Sequence, residues 1–166
     1  SANRSIETHA ATLLNNAFSV DTTFYNNTEG VALCSNSHTT TSGASTSAGF
    51  DNLTTAALSA TALASARIQM VGFRGDQAER ISVMPDSLWI PPDLYDTAYE
   101  ITESMGKPDV ATNDKNVHYG KYKVYEWNYM TDTNNWFMCD SRQQKQWVVW
   151  FDRVPLEFGQ AEELDT

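Results

Sequence analysis

Residues Ile81 to Met105 read ISVMPDSLWIPPDLYDTAYEITESM, a β-like run, a turn, a short apolar run and a well-punctuated helix in unbroken succession. Ile81 and Val83 alternate with polar neighbours, Pro85 and Asp86 give a turn signal, and Leu88, Trp89 and Ile90 make a short apolar strand. Pro91 ends that strand, because it has no N–H to contribute to a ladder. Pro92 suits the first turn of a helix, where a missing N–H costs nothing, and Asp93 and Asp96 place negative charge near the positive end of the helix dipole. Leu94, Ala98, Ile101 and Met105 then recur at helical spacing on one face, and Gly106 and Pro108 supply the stop. The predicted unit is strand, Pro-Pro corner, helix.

The whole chain of 166 residues fits one domain. At this size folding buries roughly 68–70% of the surface that the unfolded chain exposes, enough for a real core. A hydrophobic content of 41% excludes wholesale disorder, and no apolar run approaches the roughly 20 residues that cross a bilayer. Eleven basic against 21 acidic residues give a net charge of -10, which opposes the counterion release behind most nucleic-acid binding. Cys34 and Cys139 are too few for a disulfide framework, so free thiols in a reducing compartment are expected. The chain starts at Ser1 inside what reads as a helix, and is expected to be a fragment or a processed product.

Outward from the central unit, Ile6, Ala10, Leu13, Leu14, Ala17 and Phe18 mark one face of a first helix that exits at Asp21 to Thr23. Residues 22–49 are rich in Thr, Ser, Asn and Gly, a long surface excursion whose first half reads as a contact loop and whose tract from Ser35 to Ser47 reads as flexible. Asp51 or Asn52 is predicted to cap a second helix from Leu53 to Met70, about 27 Å long at 1.5 Å per residue. Its apolar stripe is Leu53, Ala56, Ala57, Ala60, Leu63, Ala64 and Ile68, and residues 72–76 end it. Lys121 to Tyr129 is strand-like, with Tyr122 and Val124 on one face and Tyr125, Trp127 and Tyr129 on the other, the mark of a bulge or of a strand covered on both faces. Trp136 to Cys139 and Trp147 to Phe151 read as two neighbouring strands, and Val154, Leu156 and Phe158 as an edge strand before a solvated acidic tail.

Catalytic chemistry has no obvious base or nucleophile. His9, His38 and His118 lie far apart, and no nucleophile elbow, phosphate-binding Gly loop or dinucleotide fingerprint occurs. Cys34 and His38 make half of a zinc site with no second pair at ligand spacing, so the bland reading, a buried thiol and a loop imidazole, is preferred. Asp93, Asp96, Glu100 and Glu103 read as a solvated helix face rather than a cation site or an acid–base pair. Arg74-Gly75-Asp76 spells the cell-adhesion tripeptide, yet a Gly turn after a helix explains it. Trp127, Trp136, Trp147 and Trp150 with Tyr122, Tyr125 and Tyr129 form either core packing, the default, or the stacking platform of a carbohydrate-binding module. The expectation is a non-enzyme without cofactor or metal.

Several stretches, in order, resemble the major head proteins of tailed bacteriophages, of the type found in phage Mu and Mu-like prophages. Glu29-Gly30-Val31-Ala32-Leu33-Cys34-Ser35 with His38 is similar to that family's acidic-Gly, apolar, Ser, His segment after its long helix. Leu53 to Ile68 resembles its next helix, and Pro85-Asp86-Ser87-Leu88-Trp89-Ile90-Pro91-Pro92-Asp93-Leu94 its most specific signature. Asn113, Asn116-Val117, Gly120, the run Thr131 to Phe137, Asp140 and the closing Trp150 to Phe158 continue the pattern, which spans roughly residues 5 to 158.

The resemblance implies an α+β tailed-phage capsid fold with a peripheral and an axial domain, here lacking the N-terminal arm, extended loop and C-terminal strand. It places residues 1–50 at the end of the spine helix and a contact loop, 51–148 in the axial domain, and 149–166 in a return strand and acidic tail. It further implies a subunit that self-assembles into the hexamers and pentamers of a DNA-containing icosahedral head. Its partners would be copies of itself and scaffold, portal or decoration proteins, with only weak, non-specific contact to DNA and none to membrane. It would be assembled in the host cytoplasm and end in the virion; an encapsulin-like compartment is the related alternative. Expected interface residues are Phe24, Tyr25, Glu29, Val31 and Leu33 in the first loop, Asn113, Asn116 and His118 in the second, and Thr131, Asp132 and Asn134 in the turn before the Trp136 strand.

Overall fold

Ser87–Ile90 forms β1, the middle strand of a three-stranded sheet of order β2-β1-β3, in which β2 is Lys123–Glu126 and β3 is Phe137–Cys139. The computed structural model describes residues 2–20, 29–107 and 114–148. β1 runs parallel to β2, with Leu88 opposite Val124, and antiparallel to β3, with Leu88 opposite Met138. Successive strand side chains point to opposite faces, and here both faces are covered. Leu88 and Ile90, fully buried, join Leu58, Leu63, Ala98, Ile101, Tyr122 and Trp136 in one core, with Val124 and Met138 packed against it. On the other face Trp89, Trp127 and Cys139 pack against a second cluster of Ala17, Met130 and Phe137, and Trp89 stacks on Tyr125 at 4.7 Å between ring centroids. The parity of Tyr122/Val124 against Tyr125/Trp127 thus reflects a strand sandwiched between two cores rather than a bulge.

The corner after β1 forms as its prolines dictate. Pro91 is buried and extended, Pro92–Leu94 make one 3₁₀ turn, and α3, Tyr95–Glu103, follows. Two further helices precede the sheet: α1, Ala2–Asn15, and α2, Ala60–Val71. α2 starts seven residues later than the spacing predicts. Asn52 and Leu53 are engaged elsewhere, the Asn52 amide donating to the Leu33 carbonyl and accepting from the Ser35 N–H while Leu53 N–H reaches Asn36. Ser59 is the true cap, accepting from Ala62 N–H. The buried face is Ala62, Leu63 and Ala66, so the expected stripe is rotated and Ile68, 65% exposed, lies outside it.

Three other expectations are corrected. Ile81 and Val83 lie in irregular chain: Ile81 N–H bonds Phe73 O, and Met84 N–H goes to the Asp140 carboxylate rather than to a strand. α3 stops at Glu103, and Met105 is 73% exposed instead of continuing the buried face. The polar segment after β3 is α4, Ser141–Trp147, so Trp147 is helical; residues 149–151 and the expected strand from Val154 to Phe158 lie outside the described residues. The Ser/Thr tract is tied down by hydrogen bonds. Thr41 N–H and the Ser42 hydroxyl donate to Asp76, and Arg74 N–H donates to Gly49 O. Gly49 has φ +85° and an added Cβ there would sit 2.6 Å from Gly72 O, so only glycine fits this approach.

Two carboxylates fasten the start of β1 to the start of α4. Asp86 accepts from Ser141 N–H at 2.9 Å and from the Ser141 hydroxyl at 2.6 Å. Asp140, 5% exposed, accepts from the N–H groups of Met84, Arg142 and Gln143. Burial pushes the Asp140 pKa up, but those N–H donors and the Arg142 guanidinium outweigh it and hold the group below the ordinary 3.8. Asp140→Ala is expected to lower the unfolding free energy by about 2 kcal/mol at pH 7, since it removes a cap and strands the Met84 N–H. A depressed carboxylate stabilises above its unfolded pKa and loses that contribution as pH falls through the folded value. Urea titrations of the two proteins should therefore converge as pH drops below about 4.

Candidate functional site

α3 buries Ala98, Ile101 and Thr102 and turns its other side to solvent. That outer side is not simply polar. Tyr95 and Tyr99, one turn apart with ring centroids 6.2 Å from each other, are exposed beside Asp96, Glu100 and Glu103. Past the end of the helix, Met105, Val117 and Tyr119 are exposed as well. They are brought alongside by a compact set of bonds: Asn116 donates from its amide to the carbonyls of Ile101 at 2.7 Å and Ser104 at 2.8 Å, Asn116 N–H bonds Met105 O, and Gly120 N–H bonds Thr102 O. The result is an aromatic and apolar surface running from the outer face of α3 onto the turn of residues 117–120.

Of the expected interface residues, Phe24, Tyr25 and Asn113 lie outside the described residues. Thr131, Asp132 and Asn134 are exposed, in a turn where the Asp132 carboxylate accepts from the Asn134 and Asn135 N–H groups. Glu29 is turned to internal bonds with His38 Nδ1 and with the Thr39 N–H and hydroxyl; the His38 contact above all lowers its pKa. Val31 is half-buried, and Leu33 packs against the second core cluster. Asn116 and His118 are buried within the subunit, Asn116 as the clamp on α3 and His118 beside it, its N–H donating to the Asn116 side-chain oxygen. Burial above all pushes the His118 pKa down, and the nearby cations Lys121 and Arg67 lower it further against a bond to the Ala60 backbone that raises it.

The other possible sites dissolve similarly. Tyr122 and Trp136 are core residues, Trp127 packs on the second cluster, and Trp136 donates its indole N–H to Ala56 O, so the aromatics make no exposed sugar platform among the described residues. Arg74 points inward to Ala78 O and Asp76 holds the Ser/Thr tract, so the tripeptide is a folded turn. Among the described residues no group of three or more His, Cys, Asp or Glu could hold a metal ion. An apolar cavity of about 1420 Å³ opens between α1, residues 53–57, the last turn of α2, and β3 with α4, lined by residues such as Leu13, Leu53, Met70 and Val148. Cys34 and Cys139 both line it, free and pushed up to about 11 by burial.

The exposed tyrosines were the signal that sequence spacing held and a helix-face reading passed over. Tyr95 and Tyr99 are four apart and share a side of the helix that flanks the buried face, next to the acidic side, so their spacing alone pairs two aromatics at the edge of the solvated surface.

The family model for phage capsid proteins matches residues 1–166 of the chain. No curated protein and no solved structure matches it.

Asn116→Ala should cost about 2–3 kcal/mol of stability, because two carbonyls at the end of α3 lose their donor inside the protein; thermal and urea unfolding measure this. The two thiols predict a second pH limb. A raised thiol pKa stabilises fully below the unfolded value and is lost as pH rises through the folded one, here between 9 and about 11. Stability of the wild type should fall over that interval by on the order of 2 kcal/mol per thiol, and Cys34→Ala/Cys139→Ala should flatten the limb.

Proposed function

The chain belongs to the phage capsid protein family, and from that premise we propose that it is a structural subunit of the icosahedral head of a tailed bacteriophage, of the Mu-like type, assembling into hexamers and pentamers. The single observation that carries this is the family match along residues 1–166. The ordered series of motifs from Glu29 to Phe158 supports the Mu-like assignment. In this proposal residues 1–50 and 149–166 belong to the periphery of the subunit and 51–148 to its axial part. The work of the protein is contact between copies, not catalysis. Scaffold, portal and decoration proteins are its further partners, and the virion is its destination.

The physical features fit such a role. A shell that confines DNA must not trap it, and a net charge of -10 repels phosphate. Buried Asn116 and the paired carboxylates Asp86 and Asp140 spend polar groups on fixing element positions, which a subunit repeated many times requires. Expression of the complete polypeptide with its scaffold partner is expected to give closed shells by electron microscopy and particles of megadalton mass by light scattering. Monomers alone in both measurements would overturn the proposal.

A further inference from the structure

The outer surface of α3 and the turn beyond it carry opposite charges. Asp96, Glu100 and Glu103 lie on the exposed side of α3, while Lys107, Lys115 and Lys121, all exposed, come together past its C-terminal end around a single exposed carboxylate, Asp114. The cluster is held together by backbone: Gly106 and Lys115 form a bridge, Lys107 N–H bonds Asp114 O, and Lys121 N–H bonds His118 O. Among the described residues these three carboxylates make no ion pair. Glu103 is the last residue of α3, where the negative end of the helix dipole opposes a carboxylate, and no basic residue lies in that last turn. Its charge is therefore poorly placed for the chain on its own. Between and around the charges stand Tyr95, Tyr99, Met105, Val117 and Tyr119, exposed aromatic and apolar side chains of the kind that form the water-excluded centre of an interface with a charged rim.

We infer that this surface binds a second copy of the chain head to tail: the acidic outer side of α3 in one subunit meets the lysine cluster of the next, with the tyrosines and Met105 desolvated between them. The inference rests on the capsid proposal for its geometry. A contact between two different patches of one subunit is heterologous, and such contacts close into rings when the rotation allows, as subunits around a capsomer require. Charge complementarity selects the occupant. In a head-to-tail ring one neighbouring copy supplies lysines for the acids of α3 and the copy on the other side supplies acids for the lysines, and the charge rim sets register and suppresses like-to-like approach.

The test uses two variants of the full chain, Glu100→Lys/Glu103→Lys and Lys115→Glu/Lys121→Glu, with far-UV circular dichroism to establish that each is folded; all four positions are exposed. Glu100→Gln/Glu103→Gln serves as a milder form of the first. Sedimentation velocity and electron microscopy follow the wild type, each variant alone, and the two variants mixed. The expected result is that the wild type associates, each charge-reversed variant alone associates on the order of tenfold more weakly or worse, the neutral variant falls between, and mixing the reversed variants restores association. Shells formed equally well by each reversed variant alone would overturn this interface and leave the capsid proposal standing. Restored association of the mixture, with no shells from the wild type and its scaffold partner, would uphold the interface and remove the capsid proposal. Growth that stops at a one-to-one dimer would overturn the head-to-tail arrangement, and a wild type that remains monomeric even with its scaffold partner would overturn both.

Discussion

Everything in the described structure depends on β1 having no free face and no free edge. Four residues, Ser87–Ile90, are hydrogen-bonded on one side to β2 and on the other to β3, and their side chains alternate between two cores. The alternation sets a strict condition. A shift of one residue would exchange Leu88 and Ile90 for Trp89, driving an indole into a space that α2 and α3 fill around small residues such as Ala62, Ala66 and Ala98. The register of the sheet, the depth of α3 and the seat of α1 are thus consequences of one short alternation. At the entrance of that strand the Asp86 backbone bonds both neighbours, its N–H donating to Cys139 O and its carbonyl accepting from Lys123 N–H, and the polar fastenings Asp86 to Ser141 and Asp140 to Met84 add to them.

The centre of the fold was legible because its signals are local. Pro91 and Pro92 admit few backbone conformations, and Leu88-Trp89-Ile90 is an apolar run too short for a helix, so the strand, corner and helix follow from a few residues. The start of α2 was not legible. Asn52 is a good cap by type, but its side chain is committed to the backbone of Leu33 and Ser35, a pairing that no local pattern reveals. α4 was missed for the opposite reason: its helix-starting signal is Asp140, which the apolar runs on either side overshadowed. Ala-rich spacing also misplaced the buried face of α2, since alanines mark a helix surface weakly and Ile68 was assumed to face inward.

The surface proved harder to read than the core. Polarity and loop position pointed to Asn116 and His118 as contact residues, yet both are buried, the first because the carbonyls at the end of α3 need donors. Thr131, Asp132 and Asn134 do stand exposed. Conversely, Tyr95 and Tyr99 were legible as a spacing but only the packed helix shows that they face outward, because a lone aromatic at helical spacing fits either side until its partners are known.

The anchoring of α1 bears on how the chain comes into being. The Asn15 amide closes a reciprocal pair with the backbone of Tyr129 and Thr131, and Phe18 stacks on Phe137, so the first helix finds its seat more than a hundred residues along the sequence. At about 5–20 residues per second of synthesis, that helix waits on the order of ten seconds on the ribosome before its partners exist. During that wait the apolar side of a nascent helix is open to other chains, and its closure by contacts of such long sequence separation is intrinsically slow. The apolar side of α1 is thereby open to misassociation until Tyr129, Thr131 and Phe137 have been made.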